Sequence, residues 1–367
     1  MKYEIRNSKF KINTPCSMKN EKSEMKSEKL LFGHSGVALI LVLLMVSILV
    51  VLVLESMRAM QVEGASSRHF QDSLQAEGVA ESGVSLAMSL LAKDLAENEV
   101  DHLGEPWAKV AEADTLPVQL PEEGTLEGKV EDEAGKFPIN YLVDADGKPQ
   151  DIYQKVLSGM LTNMPFQLEE EEAQGLVNAI TDWLDKDDEP TGVLGAETDY
   201  YQSLEHPYEC RNGPFTSLAE LQLVRGMTEP LYFGSEGNPG LRDLLTIYSD
   251  GKININTAGP VVLRALVSKS VSDDTAQAWA ETVEAYRKDP MHWDFLGESD
   301  WYRNRMAGFS DISLPAELIT IQSNHFSVKL TGKAGVGRKS IFACLKRAKS
   351  DKEDKKVKVF IRYWEVY

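Results

Sequence analysis

Cysteine is nearly absent: three residues in 367, at positions 16, 210 and 344. That excludes a fold stapled by a disulfide framework. Cys210 and Cys344 either form one bridge or stay as thiols, and the alternating stretch Ile341–Leu345 around Cys344 favours a buried free thiol. Histidine is also sparse. The six residues at 34, 69, 102, 206, 292 and 325 show no zinc-ligand spacing, and no Ser/His/Asp or Cys/His set can be assembled, so no catalytic residues and no catalytic cofactor are expected. A basic excess is missing as well. The formal charge is −18, which argues against nucleic acid as a partner, since phosphate binding needs a basic face.

The chain does have one long apolar run. Val37 to Leu54 reads VALILVLLMVSILVVLVL without a charge. As an α-helix these residues rise ~27 Å, near the thickness of a bilayer's hydrocarbon core. Residues 1–36 carry eight basic and four acidic side chains, net +4, and the flank after Leu54 (Glu55, Arg58, Glu63) has no positive excess. The positive-inside rule then keeps the N-terminus cytoplasmic and exports the remainder, whose charge is −22 once the leader's +4 is removed from −18. Three treatments of the run stand open: cleavage after it, for which Val62–Ser66 is a weak site; an uncleaved anchor; and cleavage before it.

The third follows from a resemblance. Ser35-Gly36-Val37-Ala38-Leu39-Ile40-Leu41 is similar to the processing site of type IV pilin-like proteins. The resemblance implies that prepilin peptidase cuts after Gly36, that Val37 becomes the N-methylated first residue, and that the apolar helix is kept as anchor and assembly surface. Most of that family has Glu at the fifth mature position, where this chain has Leu41. The departure is a trait of one branch, the minor pseudopilins of the general secretion pathway protein K family. A carboxylate in hydrocarbon persists only when paired, and a subunit with none above it does not need that pair. A leucine simply suited to a membrane helix is the plainer alternative.

Beyond Leu54 no proline occurs before residue 95, and Phe70, Leu74, Val84, Ala87, Leu90, Leu91 and Leu95 recur at helical spacing. The expectation is a helix over 37–95, or two helices broken near Gly64, with Gly78 and Gly83 as further bends. Leu126–Asp132 alternates as a strand and turns at Asp132–Gly135. Helices are expected at Ile152–Leu161, Glu169–Leu184, Ser217–Arg225, Val261–Val267 and Asp274–Lys288, with Thr257 as the N-cap before Val261. The run Glu169–Glu172 reads as a solvated helix start. Strands return at Phe326–Leu330, Ile341–Leu345 and Val357–Tyr367. The family resemblance continues through Asp182-Trp183-Leu184-Asp185, Gly195-Ala196-Glu197, Tyr200-Tyr201, Asn212-Gly213-Pro214-Phe215 with Leu218 and Glu220-Leu221, and Ile253–Ala258.

Asp182 to Asp199 holds seven carboxylates around Pro190 and Gly192. Asp182, Asp185, Asp187, Glu189, Glu197 and Asp199 are the candidate ligands. Hard oxygens in a loop suit Ca²⁺, a solvated acidic loop is the other reading, and the resemblance implies calcium. It is no EF-hand, because counting from Asp185 places Pro190 sixth and Ala196 twelfth. Gly332–Ser340 superficially resembles a phosphate loop but has Arg338 where lysine should stand and lies between strands, so it reads as a hairpin turn. Ile253–Ala258 also resembles the start of a helix-hairpin-helix unit, which the charge opposes.

The expected fold is α+β: a pilin-like fold with a long N-terminal α-helix, transmembrane in its first half, packed on an antiparallel sheet, with a large inserted all-α region that the resemblance makes two SAM-like modules. The expected divisions are a cleaved cytoplasmic leader 1–36, the transmembrane half-helix 37–58, pilin-like core 59–145, helical modules 146–250 and 251–312, and closing strands 313–367. The resemblance implies a minor pseudopilin of the type II secretion system, in the inner membrane with a periplasmic C-terminal domain, that caps the pseudopilus tip and helps start its assembly for export of folded proteins. Its implied partners are the I, J and H types of minor pseudopilin, the major pseudopilin, prepilin peptidase, the inner-membrane assembly platform and secreted substrates, with no nucleic acid. The competing classes are a signal-anchored periplasmic enzyme or binding protein and a helix-hairpin-helix DNA-binding or uptake protein.

Overall fold

The structure, a computed structural model, describes residues 34–110, 124–298, 300–349 and 356–367. Residues 1–33 of the expected leader, with Cys16, lie outside the described residues. The chain divides into two units at Gly64/Ala65.

The described residues of the first unit are helical. Helix α1 is His34–Glu97, so Gly36 and Val37 stand in its first turn. Every large apolar side chain from Val37 to Leu54 is half exposed or more, Leu41 among them. This is a helix long and apolar enough to cross a membrane. No break occurs at Gly64, where a proline-free sequence keeps the hydrogen-bond ladder intact.

In the second unit the rest of α1 buries Ala76, Val79, Ala80, Val84, Ala87, Leu91 and Leu95, at the three- and four-residue spacing of one helix face. Phe70 and Leu74, expected in this stripe, are 65% and 53% exposed; the buried face begins two residues after Leu74, at Ala76. Gly83 is not a bend. A Cβ there would come within 2.9 Å of the Leu126 and Leu330 methyls, so glycine lets helix and sheet approach closely.

The sheet under α1 is antiparallel in the order β1-β6-β7-β8. Its first strand, β1 (Thr125–Asp132), is separated by some 190 residues of chain from the other three. Along that stretch run β2 (Phe137–Pro138), α2 (Asp151–Thr162), α3 (Glu170–Leu184), α4 (Thr198–Gln202), α5 (Glu229–Phe233), α6 (Leu241–Leu244), β3 (Leu245–Thr246), β4 (Ile253–Asn254), α7 (Pro260–Leu266), α8 (Asp273–Lys288), α9 (Trp301–Asn304) and β5 (Ile319–Thr320). Then come β6 (His325–Ala334), β7 (Gly337–Lys349) and the edge strand β8 (Val357–Val366). The short strands pair in parallel, β2 with β3 and β4 with β5. Gly335 and Val336 close the β6–β7 hairpin with Gly335 at φ +52°, as the failed phosphate-loop pattern required. The architecture is therefore a long helix on a small antiparallel sheet, with a large helical insertion between the first and second strands of that sheet.

Two apolar clusters underlie this. One joins α1 to the sheet through Val79, Val84, Leu91, Trp107, Phe326, Val328, Leu330 and Ile341. The other runs through the insertion from Phe137 to Leu318 and includes residues on both sides of position 250. Cys210 and Cys344 are both buried free thiols.

Two local expectations are corrected. Ser217–Arg225 is a 3₁₀ turn, Leu218–Leu223, closed by Ser217 and Glu220 in a capping box and followed by Gly226 at φ +84°, so no α-helix propagates. Thr257 is not the cap of α7, whose N-cap is Gly259. Its hydroxyl donates instead to Asp132 Oδ2 at 2.6 Å. Ile253 to Asn256 are fully or almost fully buried, so their side chains are spent inside the fold.

Arg347, 1% exposed on β7, joins the pieces. Its Nη1 donates to Asp94 Oδ2 at 2.6 Å and to Leu91 O at 3.2 Å, both on α1. Nη2 donates to Asp101 Oδ1 and Nε to Ser323 O at 3.0 Å. The Ser323 amide returns to Asp101 Oδ2 at 2.7 Å, and its hydroxyl donates to Asp132 Oδ2 at 2.6 Å. Asn254 donates to Asp132 and to Asp101 O. Burial pushes the Asp101 carboxyl up against the pull of Arg347. Replacing Arg347 by Met strands buried carboxylates and should cost about 3–5 kcal/mol in denaturant unfolding at pH 8. The loss should shrink at pH 5.5, where Asp101 takes up a proton. An equal loss at both pH values would show that packing, not charge, is what Arg347 supplies.

Candidate functional site

The acidic segment is organised by the end of α3. Asp182 lies in its last turn, and Asp185 is the C-cap, its amide donating to Thr181 O. Glu197 is the N-cap of α4 and makes no side-chain cap bond. The loop between is folded back by Asp182, whose Oδ1 accepts from the Thr191 amide at 3.0 Å and Oδ2 from the Ala196 amide at 2.7 Å. Gly195 makes this possible, since a Cβ would lie 2.6 Å from the Thr191 nitrogen and collide with the Asp182 carboxylate. Beneath, Trp183 meets Tyr201 edge to face at 5.2 Å and Phe215 at 6.4 Å. The Cys210 thiol donates to Asp182 O at 3.6 Å.

One oxygen from each of Asp182, Asp185 and Glu197 lies within 4.8 Å of the other two, and the three residues are 0%, 4% and 2% exposed. Asp185 Oδ1 and both Glu197 oxygens are buried without a hydrogen-bond partner. Among the described residues no lysine or arginine forms an ion pair with any of the three. Burial, with Asp187 and Asp182 nearby, pushes Asp185 up to about 7. Burial and the Asp182 and Asp185 carboxylates push Glu197 up to about 8, and burial raises Asp182 too. Buried carboxyl oxygens without donors cost free energy that a cation removes, so the donor set fits a divalent ion bound by hard oxygens. Asp187, Glu189 and Asp199 stand outside this group and are exposed. Asp187 accepts from the Glu189 amide at 3.0 Å.

A second carboxylate group, Asp94, Asp101 and Glu105, is also gathered closely enough to share a cation. There a cation is already present in the form of Arg347, and Glu105 accepts from Trp107 Nε1 at 2.6 Å and from the His102 amide at 3.2 Å. Nothing in the sequence marked this group. Its members meet only because the chain reverses after α1 and because Arg347 arrives from a strand some 250 residues away.

A family model described as type II secretion system (T2SS), protein K, matches residues 135–233, the segment containing the Asp182 group. The chain is 27% identical over 330 residues to a type II secretion system protein K of Aeromonas hydrophila, covering 87% of this chain and 95% of that one. In structure it is similar to the crystal structure of the GspK-GspI-GspJ complex from the enterotoxigenic Escherichia coli type 2 secretion system, with TM-score 0.58, 19% identity, and 82% and 99% of the two chains covered. That likeness concerns the fold: long helix, small antiparallel sheet and helical insertion. A Pseudomonas aeruginosa type II secretion system protein K is 33% identical over 245 residues, 64% of this chain and 68% of the relative. With a third of its residues identical to that relative over two thirds of the relative's length, and with the family model matching the segment that holds the Asp182 group, the chain belongs to the type II secretion system protein K family.

Proposed function

We propose that the protein is a minor pseudopilin that caps the tip of the type II secretion pseudopilus and helps start its assembly. The observation that carries this is the pairing of an apolar helix, Val37–Leu54, whose large side chains are all half exposed or more, with a helical insertion larger than the sheet domain it interrupts. The helix offers a surface that only lipid or other apolar helices can cover. The insertion supplies bulk that leaves no room for a subunit above. Leu41 fits that position, since a terminal subunit needs no intramembrane carboxylate to receive the next. In this reading the helix holds the precursor in the inner membrane with its N-terminus cytoplasmic and the rest periplasmic, prepilin peptidase cuts between Gly36 and Val37, and Val37 is methylated. Residues 1–36, 37–58, 59–145, 146–250, 251–312 and 313–367 then serve as leader, membrane helix, core, two SAM-like modules and closing strands. The neighbours are other minor pseudopilins, of the I and J types named in the related complex and the H type, together with the major pseudopilin, the assembly platform and secreted substrates.

The Asp182 group we assign to Ca²⁺. Asp182, Asp185 and Glu197 supply the buried oxygens, and Asp187, Glu189 and Asp199 are the loop carboxylates next in line. Bound there, the ion would supply no chemistry beyond charge and loop closure.

Two tests follow. Gly36→Leu should leave the precursor unprocessed, and sequencing the mature wild-type N-terminus should find a methylated Val37. A mature start at Met1, or beyond Leu54, overturns the assignment. For calcium, the raised Asp185 and Glu197 fix the sign: without the ion the folded state holds protons the unfolded state releases between about pH 4 and pH 8, so stability falls as pH rises through that window. Ca²⁺ binds the ionised form and offsets the loss, by about 2.7 kcal/mol at 100 times its Kd. Thermal unfolding of the full chain in detergent should show a calcium-dependent rise in Tm that is large at pH 8 and small at pH 6. Glu197→Gln should abolish the response while raising the Tm measured in chelator at pH 8. A calcium response that does not change with pH, or survives in Glu197→Gln, places the ion elsewhere.

A further inference from the structure

Arg264, on α7, is 9% exposed, and its charge has no carboxylate partner among the described residues. Its Nη2 donates to Asn163 Oδ1 at 2.7 Å and its Nη1 to Gln277 Oε1 at 3.1 Å, both neutral acceptors. Its Nε is buried with no partner. The contrast with Arg347, which meets two carboxylates, lies within one chain. A buried guanidinium held only by amides keeps most of its desolvation cost uncompensated.

Arg264 lines a cavity of about 700 Å³ between α2, α7 and the start of α8, within the ~300–1,000 Å³ of clefts that hold ligands. Its walls are apolar at Ile152, Val156, Leu266 and Val271, and Lys155 and Lys269 stand at its rim. Lys269 is only 3.8 Å from exposed Glu170, a weak rim pair. Gly159 keeps the α2 side open, since a Cβ there would meet only the Ala265 main chain, at 3.7 Å or more.

We propose that this cavity receives a carboxylate carried on an apolar peptide segment, an Asp or Glu flanked by aliphatic residues, with Arg264 as the partner of the carboxylate. The guanidinium fork matches a carboxylate. The apolar walls and the acidic rim residues Glu170 and Asp273 disfavour a hydrated dianion such as phosphate. Thr162, Asn163 and Ser268 also line the cavity; the Thr162 hydroxyl donates to Ser158 O, Asn163 Nδ2 donates to Gly159 O, and Ser268 Oγ accepts from the Ser270 amide, so these groups are held in place from within the fold. The inference does not depend on the tip-capping reading.

The test uses the full chain in detergent micelles with arginine labelled at ¹⁵Nε, titrated with acetyl-Leu-Asp-Leu-amide, its Asn analogue and inorganic phosphate. The Arg264 Nε–H signal should shift saturably with the Asp peptide and at least tenfold more weakly with the Asn analogue. Arg264→Gln should remove binding of the Asp peptide, followed by fluorescence anisotropy of a labelled copy. Should that variant fail to fold, the exposed double variant Lys155→Gln/Lys269→Gln should still weaken binding a few-fold. Equal response to the Asp and Asn peptides, saturation by phosphate at equal or lower concentration, unchanged binding in the double variant, or no shift at about 10 mM peptide, a Kd weaker than any useful contact, overturns the proposal.

Discussion

A single buried guanidinium holds three parts of the chain in register. Arg347 leaves β7, crosses under α1 to Asp94 and Leu91 O, reaches Asp101 in the turn after the helix, and takes Ser323 O just before β6. Through Ser323 and Asn254 the same polar group reaches Asp132, where β1 ends and the insertion begins. The chain leaves the sheet at Asp132 and comes back at Ser323, and the two ends share one carboxylate oxygen. Apolar packing is non-directional and would tolerate a helix sliding along the sheet. Charge-assisted hydrogen bonds at fixed angles do not. This network therefore fixes where a large insertion can leave and re-enter a small sheet, and Thr257 is diverted from capping α7 to complete it.

Elements that depend on near neighbours were legible in the sequence. The apolar run, α2, α3, α7, α8, the β6–β7 hairpin and the strand character of 357–367 all follow from periodicity or turn chemistry over a dozen residues. The insertion of a helical block between strands was legible as an order of elements. Less visible was anything set by distant partners. The exposure of Phe70 and Leu74 depends on where the sheet ends beneath α1, and Gly83 looks like a bend until Leu126 and Leu330 are placed against it. The four-residue helices α6 and α9 and the two-residue strands have too little local pattern to register. In the acidic segment, charge density marked the loop but did not rank its members. Asp182, Asp185 and Glu197 come together because α3 aims the first two inward and Gly195 folds the loop tightly enough to bring the third.

The chain treats two buried carboxylate groups in opposite ways. Asp94, Asp101 and Glu105 are met by Arg347, a tryptophan N–H, an asparagine and main-chain amides. Asp182 accepts from two main-chain amides, whereas Asp185 Oδ1 and both Glu197 oxygens are buried without a partner. Both groups pay desolvation of the same kind, and the difference is where the opposite charge comes from. In the first it is covalently part of the fold and always present. In the second no described lysine or arginine supplies it, and oxygens of Asp185 and Glu197 are left open to a divalent ion.

Arg264 is the mirror image: a buried cation with only neutral acceptors, in the same helical insertion. All three arrangements are explained by one division. Where α1 meets the sheet, the buried guanidinium of Arg347 is met by Asp94 and Asp101 from within the chain. In the insertion, an acid group and Arg264 have no oppositely charged partner among the described residues. A fold that needed only to be stable would replace such groups with apolar ones of similar volume, often at a gain. Retaining them makes sense where the missing charge belongs to something else, which puts the chemistry of recognition on the insertion and the work of holding position on the helix and sheet.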